Sequence, residues 1–184
     1  MSTSRFLINL VTYQLCWFGC ILGGAHGMPW LGPVIVGLAI GYHLGIADRA
    51  SAEALLIIAA ALIGAIWDSF LVAAGWLIYP SGTLIENTAP YWIIALWAAF
   101  ATTFNLSLAW FKTRLIAAAA LGLIGGPLAY LAGERLGAVS FYNHLAGLVA
   151  LALGWGLLMP LMMWLSRRWN GFTASTPVVA SAAS

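Results

Sequence analysis

The sequence predicts an all-α fold, a polytopic membrane bundle of six transmembrane helices with both termini inside, and three observations predict it. Hydrophobic residues make up 63% of the 184 and charged residues only 7%, with a mean hydropathy of +0.98. Seven Lys/Arg and five Asp/Glu cannot furnish the surface of a soluble domain, which draws on about 25% charged residues. Six separate apolar stretches each approach the length of about 20 residues that a helix needs to cross roughly 30 Å of hydrocarbon. The bilayer is therefore the solvent and first partner of this chain. Its net charge of +2 comes from scattered loop-end residues, which offers no footprint for nucleic acid.

The first stretch, residues 6–24, follows Arg5 and carries Asn9, Tyr13 and Gln14 among its apolar residues. A cleaved leader ending near Leu22-Gly23-Gly24-Ala25 competes with a retained helix, but the apolar region is longer than the usual ~7–15 residues of such leaders, which favours retention. Gly27-Met28-Pro29 then punctuates the chain before residues 30–47, with Pro29 suited to a first helical turn. The third stretch, 52–79, stops at Pro80-Ser81-Gly82, and Asn87-Thr88-Ala89-Pro90 introduces the fourth, 91–111. Residues 115–132 and 145–166 supply the fifth and sixth. The membrane domain thus occupies residues 1–168, and the Ser-, Ala- and Thr-rich residues 169–184 read as a short disordered cytoplasmic tail.

Orientation follows from the basic residues, which disfavour translocation of short loops. An inside N-terminus places Arg5, Arg49, Lys112, Arg114, Arg167 and Arg168 in the cytoplasm and only Arg135 outside. The aromatic belts agree, with Trp30, Trp76, Tyr79, Tyr91 and Trp92 at the outer interface and Trp110, Trp164 and Trp169 at the inner one. Both termini are therefore expected on the cytoplasmic side. Gly32-Pro33 and Gly126-Pro127 resemble a repeat signature, yet both fall toward the outer face, whereas an inverted repeat would put them on opposite sides.

Helices in lipid associate through close packing and interhelical hydrogen bonds, so small residues mark their contacts. Gly19 with Gly23, Gly37 with Gly41 and Gly45, and Gly122 with Gly126 form such ridges. Packing within the chain is the favoured reading of all three, and a homo-oligomer or a partner membrane protein docked on one of them is the alternative. Pro127 and Pro160 fall inside spans, where each removes a backbone donor.

Asp68 carries the main chemical signal. With its span running to Tyr79 it lies near the membrane centre, where an acid costs roughly 2.5–3.5 kcal/mol and must face the interior and find partners. Gly64 and Gly75, at i−4 and i+7, leave space on its face. The donors expected at compatible depth, and hence the candidate binding residues, are Gln14, Thr102, Asn105, Ser107 and Tyr130, with Asn9 and His43 extending a polar track inward. The competing structural role is a polar clamp that fixes helix register.

Metal and enzyme templates find little purchase. His26 and His144 fall in outer loops near Glu86 and Glu134 without zinc spacing, so no metal is expected, and Cys16 and Cys20 read as packing residues. There is no His-Glu-x-x-His, no second deep Asp, no phosphate-cradling Gly loop and no nucleophile triad, so no cofactor is expected and the catalytic residues are unassigned.

The combination Gln14-x-x-Trp17-Phe18, Pro29-Trp30-x-Gly32-Pro33, Asp68-Ser69, Ala89-Pro90-x-Trp92, Asn105-x-Ser107-Leu108-x-Trp110 and Gly126-Pro127-x-x-Tyr130-x-x-Gly133-x-x-Leu136-Gly137-Ala138 resembles an uncharacterised family of small multi-pass bacterial membrane proteins, known only as a domain of unknown function. The resemblance covers residues 5–166 and implies a location, a bacterial inner membrane, rather than an activity. It carries over no catalytic residue, and an association of such genes with lipid-modifying ones, relatives of cyclopropane-fatty-acid synthase among them, implies a connection with lipids. Three functions fit these observations: a small-molecule or lipid binder or carrier built around Asp68, an accessory or scaffolding subunit of a lipid-modifying system, and a lipid-modifying intramembrane enzyme with Asp68 as acid or base.

Overall fold

The computed structural model describes residues 3–172. Among these residues are six α-helices: α1 (Thr3–Ala25), α2 (Leu31–Gly45), α3 (Ala50–Ala73), α4 (Tyr91–Phe104), α5 (Leu115–Arg135) and α6 (His144–Arg168). Four of them, α1, α3, α5 and α6, are long and apolar enough to cross a membrane. The six expected spans are thus found as six helices, but α2 with 15 residues and α4 with 14 cover only about 21–23 Å at 1.5 Å per residue. The early end of α4 has a local cause.

α4 ends early because its last turn is polar. The hydroxyls of Thr102 and Thr103 donate back to the Ala99 and Phe100 carbonyls at 2.7 and 2.6 Å, competing with the helical ladder. The Thr103 carbonyl then accepts from Leu106 and Leu108, and the chain turns into a 3-10 helix, Ala109–Thr113. The expected span 91–111 therefore stops at Phe104.

The expected span 52–79 is shortened by a different device and ends as a helix at Ala73. Gly75 takes φ +71, and the amides of Gly75 and Trp76 bond the Val72 and Leu71 carbonyls at 2.9 and 3.0 Å, a Schellman termination that only a residue tolerant of left-handed backbone closes at low cost. Gly75 thus ends α3 rather than clearing its face. Gly27 after α1 and Gly137 after α5 close the same way, so the three odd-numbered helices share one terminating device at one end of the bundle. There β1 (Leu77–Ile78) pairs antiparallel with β2 (Ser140–Phe141), clipping the α3–α4 connection to the α5–α6 connection.

α4 is the axle. Nine of its 14 residues are buried, and it contacts α1, α2, α3 and α6, while α5 and α6 form a closely packed hairpin. The outward faces are apolar instead of charged: Leu38, Ile66, Leu157 and Ile116 are 72–89% exposed, an arrangement that lipid favours and water does not. Gly122 and Gly126 pack on Trp155 of α6, and Gly19 on Ile35 of α2. The ridge on α2 departs from the expectation of internal packing, because nothing lies within 4 Å of a side chain built at Gly37, Gly41 or Gly45.

Residues 169–172 continue from α6 onto the bundle. The Arg49 amide donates to the Gly171 carbonyl at 3.0 Å, and the Phe172 ring meets His43 edge-on at 5.2 Å. These first residues of the expected tail are docked; residues 173–184 lie outside the described ones.

Candidate functional site

α3 turns one continuous stripe inward, comprising Glu53, Ile57, Ala60, Gly64, Asp68 and Leu71 at the i, i+3, i+4 spacing of a helix face. The stripe carries two fully buried acids, Glu53 and Asp68, 15 residues and so about 22 Å apart along the axis. Each organises its own polar centre.

Asp68 lies five residues before the end of α3, about 7.5 Å in from that terminus, which is shallower than a span reaching Tyr79 implies. Its Oδ1 accepts from the Tyr79 hydroxyl at 3.0 Å and the Tyr130 hydroxyl at 2.5 Å, and its Oδ2 accepts from the Trp97 Nε1 at 2.7 Å. All three partners donate, which suits a carboxylate that accepts on both oxygens. All three are also uncharged. They come from the segment after β1, from α5 and from α4, so this one side chain joins three otherwise separate parts of the chain. Gly64 makes the arrangement possible, because a Cβ there would overlap the Trp97 ring.

The same three partners form one wall of a cavity. α4 contributes Trp92, Ile93, Leu96, Trp97 and Phe100, α1 contributes Tyr13, Trp17 and Ile21, and α5 contributes Ala129, Tyr130 and Gly133. Tyr79, Val139 and Trp155 complete the lining, and the part-enclosed cavity measures about 60 Å³. Eight of these 14 residues are aromatic and none is charged. The rings brace one another: Trp97 stacks on Trp155 at 4.5 Å, and Phe100 packs edge-on to Trp155 and tilted against Tyr13. The indole N–H of Trp67 is buried without an acceptor, at a cost of about 1–3 kcal/mol.

Glu53 organises the opposite end. Its Oε2 pairs with His43 Nε2 at 2.8 Å, and its Oε1 accepts from Asn105 Nδ2 and the Gly171 amide, both at 2.6 Å. Asn105 also donates to the Trp169 carbonyl at 3.0 Å and accepts from Lys112 Nζ at 2.5 Å. Burial pushes the Lys112 ammonium below its ordinary range; the Glu53 charge opposes this and Arg167 adds to it. Alongside, Asn9 donates to the Thr102 carbonyl at 3.1 Å and accepts from the Ser107 hydroxyl at 2.6 Å.

Of the residues expected around Asp68, the structure brings only Tyr130 to it. Thr102, Asn105 and Ser107 join Asn9 and His43 at the Glu53 end, because α4 stops at Phe104 and its polar tail lies at that terminus. Gln14 is exposed on α1. His144 pairs with Glu134 at 3.0 Å, and the His26 ring meets the Leu22 carbonyl of its own helix. Tyr79 and Trp97, the other two Asp68 partners, carry no such signal in the sequence, where the first marks an interface and the second belongs to an apolar span. Glu53 was also missed, although its place on the Asp68 face, 15 residues earlier, could have revealed it.

The helix lengths, the apolar exterior and the buried polar centres together define a helical integral membrane protein. Residues 6–161 match the family described as Protein of unknown function (DUF2878), and the chain belongs to that family. No curated protein and no solved structure matches it.

Proposed function

We propose that this protein binds or carries a lipid-like amphiphile, taken up in the aromatic cavity between α1, α4 and α5 against the wall that Asp68 holds in place. One observation carries this reading: Tyr79, Trp97 and Tyr130 line the cavity with their rings and spend their polar groups on the carboxylate behind them. The result is an apolar, ring-lined hollow of preset shape, the usual character of a small-molecule site. The cavity sits where α1, packed on α2 and α4, faces α5, packed on α6, a gap through which an acyl chain would reach the surrounding lipid. The membrane proposed is a bacterial inner membrane. Six of the seven basic residues belong to the end of the bundle that holds both described chain ends, so that end is assigned to the cytoplasm.

Native mass spectrometry of the detergent-purified protein tests the reading. A defined lipid-sized adduct is expected on the native chain and is lost in Asp68→Leu, with folding of both checked by monodispersity. A native chain that stays bare after incubation with total membrane lipids overturns it.

A second reading, an accessory subunit docking a membrane partner or a further copy of itself, is favoured by the α2 ridge. Gly37, Gly41 and Gly45 are exposed and face open space, the small-residue surface on which another helix packs closely. Under it Gly41→Leu loses a co-purifying partner while Asp68→Asn keeps it.

A further inference from the structure

The cavity's rings and the lone carboxylate behind them specify a charge for the occupant. An aromatic face carries negative electrostatic potential and attracts a cation within about 6 Å of its centroid, most strongly where water is excluded. Here eight aromatic residues line one hollow, and no Lys, Arg or His is among its lining residues. Asp68 is fully buried behind this wall, and its three hydrogen-bond partners are neutral donors. Glu53 and Glu134, by contrast, each meet a histidine. A buried carboxylate without a cationic partner is electrostatically incomplete, because opposite charges attract far more strongly in a medium of low polarity than in water. Both features point the same way.

Resting on the binder reading above, we propose that the cavity takes an amphiphile with an alkylated ammonium headgroup, the cation held among the rings of Trp17, Trp92, Trp97 and Trp155 within the field of Asp68. An alkylated ammonium fits better than a primary one, since the wall is apolar and its tyrosine protons at Tyr79 and Tyr130 are already committed to Asp68. The tail follows the lining along α4 from Trp92 to Phe100, about 12 Å of helix at 1.5 Å per residue. Ile21 and Val139 come nearest to a side chain built at Gly133, at 3.6 and 3.5 Å, so this edge of the hollow is already narrow. A leucine at Gly133 intrudes into the space while leaving the Asp68 hydrogen bonds intact.

Tryptophan-quenching titrations in a neutral maltoside detergent test the proposal with three probes. They are lauroylcholine, its uncharged isostere 3,3-dimethylbutyl laurate, and choline without a tail. The expected result is that lauroylcholine binds the native protein at least 10-fold more tightly than the isostere. That preference falls by about 2- to 30-fold in Trp17→Leu, the range of one cation–aromatic contact. It also falls toward unity in Asp68→Asn, and Gly133→Leu weakens both laurate probes. Choline binding as tightly as lauroylcholine assigns the site to a free cation and overturns the amphiphile. Equal binding of lauroylcholine and the isostere overturns the charge preference and leaves the binder reading standing. Binding of none of the three overturns both.

Discussion

The indole of Trp97 occupies the space that the missing side chain of Gly64 leaves on α3, one helical turn before Asp68, and from there its Nε1 reaches the Asp68 carboxylate at 2.7 Å. A packing feature and a polar one are thereby made interdependent. The helix approach that Gly64 permits is what brings a donor to an acid that would otherwise be costly in a membrane interior.

Gly64→Ala therefore damages more than its one methyl group suggests. The added Cβ forces Trp97 aside, at about 1–3 kcal/mol for overpacking, and stretches the Asp68 hydrogen bond. A lowered thermal midpoint in detergent is expected, together with a shift in tryptophan emission. A variant as stable as the native chain would show that Trp97 is not held there.

Asp68→Leu and Asp68→Asn separate shape from hydrogen bonding. Leucine leaves the Tyr79, Tyr130 and Trp97 donors without their acceptor, at about 1–3 kcal/mol for each one that finds no substitute. Asparagine keeps one acceptor oxygen. Unfolding in a denaturing detergent should rank the native chain above Asn and Asn above Leu; equal losses would mean that the hydrogen bonds contribute nothing beyond packing.

Glu53→Ala acts at the far end of the same helix. It removes the acceptor of the Gly171 amide and one acceptor of Asn105, so residues 169–172 should come away from the bundle. Hydrogen exchange reads this directly, with faster exchange expected at Gly171 and unchanged protection around Asp68. Loss of protection at both ends would show that the two centres are coupled.

Gly41→Leu and Gly122→Leu contrast an open ridge with a closed one. The first meets empty space, whereas the second drives a side chain into the Trp155 backbone and Met159. Expression and monodispersity in detergent should be retained for Gly41→Leu and lost for Gly122→Leu. The reverse result would mean that α2 packs its ridge against α5 or α6.

The membrane class, the helix number and the deep acid Asp68 were all legible in composition and periodicity, since each depends on local sequence. What was not legible was where apolar helices stop. No charged residue interrupts Gly75 to Tyr79 or Asn105 to Phe111, and the terminators are a left-handed glycine in one case and hydroxyls bonded back to their own helix in the other. Those two boundaries shifted everything placed by depth. They moved Thr102, Asn105 and Ser107 to the Glu53 end and freed Tyr79 to reach back to Asp68. Trp97 was hidden for another reason: in a hydrophobic stretch its N–H carries no signal, and only its meeting with Gly64 shows that it serves a carboxylate.

On the proposed reading, the ring-lined cavity rather than the lipid-facing surface receives a lipid-like molecule. Photocrosslinking with a fatty acyl choline ester bearing a diazirine on its chain, followed by peptide mapping, tests it most directly. Labelling is predicted to concentrate on α1 at Tyr13, Trp17 and Ile21, on α4 from Trp92 to Phe100, and on α5 around Gly133, and to be displaced by excess unlabelled ester. Labelling spread over the outward residues Leu38, Ile66 and Leu157, with no displacement, would contradict it.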